Sequence, residues 1–247
     1  MLKALRVLSS QGKQWIPEPR TAVPQGFRGR PVIDAKACAS GCNECAEACP
    51  TKAIALDPVR LDLGRCVFCN ECAIGCPEQK IAFTSDVAMA AVHSDGLVVS
   101  AGSAPEPVAT SAALHRAFGR SLKLRQVSAG GCNACELELN ALGNVNFDLQ
   151  RYGIEWVASP RHADALVLTG PLTEAMAAAV EASWRAMPEP RFVISFGACA
   201  ISGGIYAGSH VIDRSFLDRV GPSLLVPGCP PHPLTFVRGV LDLLGIR

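Results

Sequence analysis

Residues 122–139 read LKLRQVSAGGCNACELEL. The first seven, Leu122 to Ser128, alternate apolar and polar side chains as a half-buried strand does. Two glycines and a CxxC pair, Cys132 and Cys135, follow at once, and CELELNALGNV opens a helix behind them. The rest of the chain repeats this succession. YGIEWVAS (152–159) and DALVLTG (164–170) are expected strands, the second nearly all apolar and therefore central in a sheet. LTEAMAAAVEASWRAM has helical spacing; RFVISFGACAISGG reads as a strand then a glycine-rich loop, and SLLVPGCPPHP as a strand then a loop. A last helix runs through Val240 and Leu244. Strands alternating with helices imply a mostly parallel sheet with helices on its faces, a flavodoxin-like α/β domain over 122–247.

A CxxC pair is only half of a metal site. Cys199 follows the strand RFVISF and Cys229 follows SLLVP, so Cys132, Cys135, Cys199 and Cys229 all lie just beyond strand C-terminal ends. Open α/β sheets bind ligands at that edge. Four thiolates there, beside glycines that admit close backbone approach, make a 4Fe-4S site. Small buried hydrophobes are the ordinary fate of free cysteines, but the equivalent loop positions favour ligation. Ile201-Ser202-Gly203-Gly204 lacks the GxGxxG spacing of a nucleotide loop and is read as hugging the cluster.

Upstream, CNECAEACP (Cys42–Pro50) and CNECAIGCP (Cys69–Pro77) agree at seven of nine positions, 27 residues apart. Each is preceded by one more cysteine, Cys38 or Cys66. The second copy, Cys66-x2-Cys69-x2-Cys72-x3-Cys76-Pro, has the spacing of bacterial two-cluster ferredoxins, in which the fourth cysteine ligates the other cluster. One 4Fe-4S cluster is therefore assigned to Cys38, Cys42, Cys45 and Cys76, and a second to Cys66, Cys69, Cys72 and Cys49. The fourth cysteine of each run is expected to begin a helical turn leading away, and the extra residue before Cys42 to widen one loop. Structural zinc also uses CxxC pairs, but it does not require two interlocked runs each ending in Pro. Three clusters need twelve thiolates, the number the chain carries.

The totals fit a packed, soluble-type chain: 247 residues, 49% hydrophobic, 18% charged, net charge +1. That balance argues against a nucleic-acid partner. No apolar run long enough for a membrane span is present, and MLKALRVLSSQGKQW makes a poor export signal, so disulfides are disfavoured. Residues 1–30 form a basic arm, with Lys3, Arg6, Lys13, Arg20, Arg28 and Arg30 against Glu18, suited to anionic lipid, to a partner subunit or to solvent. Residues 31–84 form the cysteine-repeat domain. Residues 85–121, containing VVSAGSAPEPVATSAA, are read as a linker with a short helix at 109–118.

Residues 31–84 resemble a two-cluster ferredoxin domain, an α+β unit, and the lead-in FRGRPVID is similar to that of two-cluster subunits of complex I and membrane-bound hydrogenases. GCNACELEL, SPRHADALVLTGP, GACAISGG and PGCPP, over about 122–244, resemble the small subunit of group 4 NiFe hydrogenases, including formate hydrogenlyase, and its relative in complex I. Complex I subunits of this type usually have adjacent cysteines where this chain has Cys132-Asn-Ala-Cys135, which favours the hydrogenase branch. Ala134 stands where Gly is common, and His232 where Arg is expected. The resemblance implies that the third cluster lies next to a NiFe centre on a separate large subunit. It implies membrane subunits in the same complex, and a place on the inner face of the cytoplasmic membrane. The chain is then an electron-transfer subunit of an oxidoreductase, with three 4Fe-4S clusters and no catalytic residue of its own. Glu136, beside the CxxC, is a candidate proton carrier or a helix-start acid; Glu138 is a weaker one. His93, His115, His162 and His210 show no ligand spacing. Two alternatives stay open: a nickel-free, complex I-like oxidoreductase subunit, and a stand-alone ferredoxin-like carrier.

Overall fold

The computed structural model describes residues 2–12 and 14–246; Lys13, one of the arm's basic residues, lies outside them. The chain opens with helix α1 (Leu2–Gln11), whose described side chains are exposed. A first module follows, with β1 (Pro31–Ile33), α2 (Glu44–Glu47), β2 (Ile54–Ala55), β3 (Arg60–Asp62), α3 (Glu71–Ile74), β4 (Ile81–Phe83) and β5 (Val98–Ser100). β1 and β4 pair antiparallel, with Val32 opposite Ala82. β2, β3 and β5 form a second antiparallel sheet, with Leu61 opposite Val99. The cysteine repeat becomes two single-turn helices: Cys45 lies in α2 and Cys72 in α3. Cys49 and Cys76 do not begin helical turns, contrary to the expectation from spacing; they follow them. Each precedes a proline, Pro50 or Pro77, whose ring disfavours the helical conformation in the residue before it.

The second module contains α4 (Ala112–Phe118), β6 (Leu122–Ser128), α5 (Ala134–Ala141), β7 (Ile154–Trp156), β8 (Ala165–Thr169), α6 (Glu174–Ala186), β9 (Phe192–Phe196), α7 (Ala198–Ser202), α8 (Ser215–Val220), β10 (Leu224–Val226) and α9 (Pro233–Leu244). Its five strands run in the order β10-β9-β8-β6-β7, every pair parallel. Numbered from β6, this is the doubly wound order 2-1-3-4-5, whose switch point lies between β6 and β8. β8 and β9 are buried at every position, as central strands covered on both faces must be. One face packs Leu124, Val167, Ile194 and Phe196 against α9 and Phe118 of α4. The other packs Val127, Leu166, Leu168 and Val193 under α6 and α8. Each large apolar side chain fully buried there contributes roughly 1.5–3 kcal/mol.

β10 lies at the sheet edge and serves both modules. Leu224 and Val226 face the second module's core, whereas Leu225 joins the first module's core beside Leu61, Leu63 and Leu97. The stretch read as a linker supplies the join. Ala91 exchanges both backbone hydrogen bonds with Leu225, at 3.0 and 2.8 Å, and β5 completes the sheet on β3. The expected short helix is α4. Residues 85–121 are thus built into the packing of both modules.

The basic arm is a strap from residue 15 onward. The Ile16 amide donates to the Asn146 carbonyl at 2.9 Å, and the Arg151 guanidinium lies over the Trp15 ring. Arg20 donates to Asp242 at 2.7 Å and to the Ile246 carbonyl, while Arg238 donates to the Arg20 carbonyl. These bonds fall on Arg238 and Asp242, the two residues of α9 that are not buried; the other ten are. Arg28 and Arg30 are spent inside the first module, on the carbonyls of Phe68 and Ser103. Among the described residues no helix is long and apolar enough to cross a membrane.

Candidate metal centres

The cysteines after β6, β9 and β10 meet at the C-terminal edge of the sheet. Cys132 lies in the loop after β6, and Cys135 in the first turn of α5. Cys199 sits inside α7, a single helical turn where a glycine-rich loop was expected, and Cys229 lies in the loop after β10. Backbone bonds lace these loops together: the Gly197 amide to the Val226 carbonyl at 2.8 Å, and the Ala198 amide to the Gly228 carbonyl at 2.9 Å. A Cβ on Gly197 would stand 2.8 Å from Cys135 Sγ, and one on Gly204 3.0 Å from Cys199 Sγ. At the switch point Gly131 packs on Gly170, where a Cβ would come within 3.1 Å of the facing backbone. Glycine is needed at these positions because sulfur or backbone fills the side-chain space.

Electrostatics group eleven of the twelve thiols, and Cys42 is placed by the hollow that it lines with Cys38. Burial pushes the Cys135 thiol up, as do Glu136 and the neighbouring Cys199, Cys229 and Cys132. Cys199 is pushed up to about 11 by burial, then by Cys229 and Cys132, and Cys229 by burial and Cys132. In the first module, Cys66 is pushed up to about 12 by burial, against an amide bond from Phe68 and with Cys72, Cys49 and Cys69 adding to the rise. Cys72 rises to about 11 through burial, Cys49, Cys69 and, across to the neighbouring set, Cys45. Burial, Cys76 and Cys38 raise Cys45. A narrow cavity is lined by all four of Cys49, Cys66, Cys69 and Cys72, while Cys38 and Cys42 line an open hollow of about 650 Å³.

The sulfurs also receive backbone donors, from the amides of Ala53 to Cys49 (3.2 Å), Phe68 to Cys66 (3.3 Å) and Lys80 to Cys76 (3.4 Å). Desolvated thiols that raise one another need a bound cation to become thiolates, and amides turned on sulfur stabilise an anionic cluster. Each set therefore fits a 4Fe-4S group in donor chemistry. Among the described residues no three His, Cys, Asp or Glu side chains are tight enough to hold a single ion; the cysteine sets are looser gatherings.

Of the neighbours of these sites, Arg214 was not singled out by the sequence pattern, whereas Glu136, Glu138 and His232 were. Glu136 is buried and accepts from Thr169 Oγ1 on β8. Burial disfavours its charge, but hydrogen bonds from Thr169 and Ser128 hold the carboxyl below its usual range. That contact ties α5 to β8 of the sheet. Glu138 is raised by burial. Arg214 donates to the carbonyls of Ala200 and Ile201 at the end of α7, the turn that bears Cys199. His232 caps α9, its Nδ1 accepting from the Leu234 amide at 3.1 Å, between the rings of Phe27 and Phe147. His115 Nδ1 lies 2.6 Å from the Leu244 carbonyl at the other end of that helix, a structural place.

The family described as NADH ubiquinone oxidoreductase, 20 Kd subunit, matches residues 132–243, from the first cysteine of the third set into α9. The probable membrane-bound hydrogenase subunit mbhJ of Pyrococcus furiosus is 38% identical over 131 residues, 53% of this chain and 78% of that protein. The chain belongs to the 20 Kd subunit family. Formate hydrogenlyase subunit 7 of Escherichia coli is 40% identical over 136 residues, 55% of this chain, and the chain spans only 53% of its length. An NADH-quinone oxidoreductase subunit of Geotalea daltonii is 39% identical over 114 residues, 46% of this chain and 66% of that protein. Members of the 20 Kd subunit family typically bind an iron–sulfur cluster. The first module, with its eight cysteines, lies before the matched residues.

Proposed function

We propose that the chain is an electron-transfer subunit with three 4Fe-4S clusters, in a membrane-associated oxidoreductase of the NiFe hydrogenase or formate hydrogenlyase type. The observation that carries the reading is the meeting of Cys132, Cys135, Cys199 and Cys229 at the sheet's switch point; Cys49, Cys66, Cys69 and Cys72 around one cavity, and Cys45 beside Cys76 and Cys38, support it. Residues 31–84, extended by β5, act as a two-cluster ferredoxin module holding Cys38, Cys42, Cys45 and Cys76 in one set and Cys66, Cys69, Cys72 and Cys49 in the other. The second module holds the third set, Cys132, Cys135, Cys199 and Cys229. Bound clusters supply one-electron transfer. The chain's own part is to supply thiolates, turn amides onto their sulfurs and fix one set relative to another.

The partner face is the edge bearing the third set. Cys132 and Cys229 are exposed there, and Leu137, Val145, Ile205, Tyr206 and Val211 are large exposed hydrophobics on the nearby loops and helices. Such a patch suits burial against another subunit, here a large subunit with the catalytic centre, with membrane attachment through further subunits. The names of the relatives support a hydrogenase-type partner, and the resemblance to group 4 NiFe hydrogenases implies nickel on it. The similarity to a subunit of an NADH-quinone oxidoreductase supports a second reading, an equivalent conduit next to a nickel-free partner. Nickel and iron counted in the complex that co-purifies anaerobically with the chain decide between them. At least about twelve irons per chain with nickel near one supports the hydrogenase reading; full iron without nickel refutes it and leaves the second. A chain isolated alone, with full iron and no large subunit, refutes both in favour of a stand-alone carrier.

A further inference from the structure

Two consecutive residues of the strap touch the ligand-bearing loops of two different cysteine sets. The Phe27 ring centroid lies 4.7 Å from that of His232, three residues beyond Cys229. Arg28 Nη1 donates to the Phe68 carbonyl at 2.6 Å, and Phe68 lies between Cys66 and Cys69. The Phe68 amide in turn donates to Cys66 Sγ at 3.3 Å. A single residue therefore connects the guanidinium to a candidate ligand sulfur.

Phe68 holds a φ of +54°, a left-handed conformation that side chains rarely adopt, and it does so in a ligand loop. With its amide toward the sulfur, its carbonyl points outward and needs a partner; Arg28 is that partner. Arg28 itself is held from both sides. The Gly29 amide donates to the Thr84 carbonyl at 2.6 Å, with no room for a Cβ against the Asp86 carbonyl, and Arg30 is buried on Ser103. Phe27 fixes the other side on His232.

We propose that Arg28 is a positioning residue for the cluster of Cys49, Cys66, Cys69 and Cys72: it holds the Phe68 carbonyl outward and raises that cluster's reduction potential with its positive charge. The proposal rests on the three-cluster reading above. A nearby cation favours the more negative, reduced form of a cluster, so its removal lowers the midpoint. Arg28 is exposed on its outer side, so the shift shrinks as ionic strength rises.

The test is a potentiometric titration of the co-purified complex followed by electron paramagnetic resonance, with iron counted in each variant. In Arg28→Gln one cluster's midpoint falls, more at low salt than at high, and the other two stay; in Arg28→Lys all three stay near the wild type. Three unmoved midpoints in Arg28→Gln, a common shift of all three, or an equal shift in Arg30→Gln overturns the proposal. If Arg28→Gln does not assemble, Arg28→Lys decides: assembly with a wild-type midpoint supports the role of the charge, and loss of iron overturns it. A wild-type complex with fewer than three clusters refutes the reading beneath the proposal instead.

Discussion

At Gly197 a side chain would collide with Cys135 Sγ, and the backbone there, at φ +96°, is one that only glycine adopts without strain. Gly197→Ala is expected to cost about 1–3 kcal/mol of stability in denaturant unfolding. It should also leave the chain about four irons short, as the third set is disturbed. Glu136 predicts differently. Glu136→Ala leaves the buried Thr169 hydroxyl only a long bond, 3.5 Å, to the Val127 carbonyl and is expected to cost about 1–3 kcal/mol while the iron count holds. The nearness of Cys132, Cys135, Cys199 and Cys229 was legible because each follows a strand that the apolar pattern reveals. The duty of Glu136 was not, because Thr169 lies 33 residues away and only the folded sheet brings it near.

Helix α9 begins on His232, whose Nδ1 must stay unprotonated to accept from the Leu234 amide. Burial lowers the imidazole's pKa below its ordinary 6.5, so on acidification the unfolded chain takes up the proton first. The contribution is therefore whole above pH 6.5 and declines as the pH falls below it toward the folded value. His232→Asn keeps a capping acceptor and should remove that slope, whereas His232→Ala should lose about 1 kcal/mol at neutral pH; chemical denaturation across pH 5–8 separates the two. The sequence showed β6, β8, β9, β10, α6 and α9, whose hydrophobic periods are long or whose strands are wholly apolar. It missed β5, a three-residue strand among Gly, Ser and Pro that exists only because β3 pairs with it. It also read a loop at Cys199, where the turn of α7 is held by Arg214 on the carbonyls of Ala200 and Ile201.

On the scale of the whole molecule, the exposed apolar rim around the third set is the surface whose loss should matter to assembly and to little else. Leu137→Glu with Ile205→Glu is expected to abolish co-purification of a large subunit while the variant chain keeps its iron; retained co-purification would remove this face from the partner interface. The α/β architecture was legible from the alternation of strands and helices. The union of the two modules was not, since it depends on Leu225 facing one core while Leu224 and Val226 face the other. With Ala91 bonded both ways to Leu225, the two modules meet in one packed seam. Electrons crossing it do not wait for one body to swing toward another, so their rate should be indifferent to glycerol or sucrose in the solvent. A tethered carrier that must diffuse to its acceptor would slow in step with viscosity.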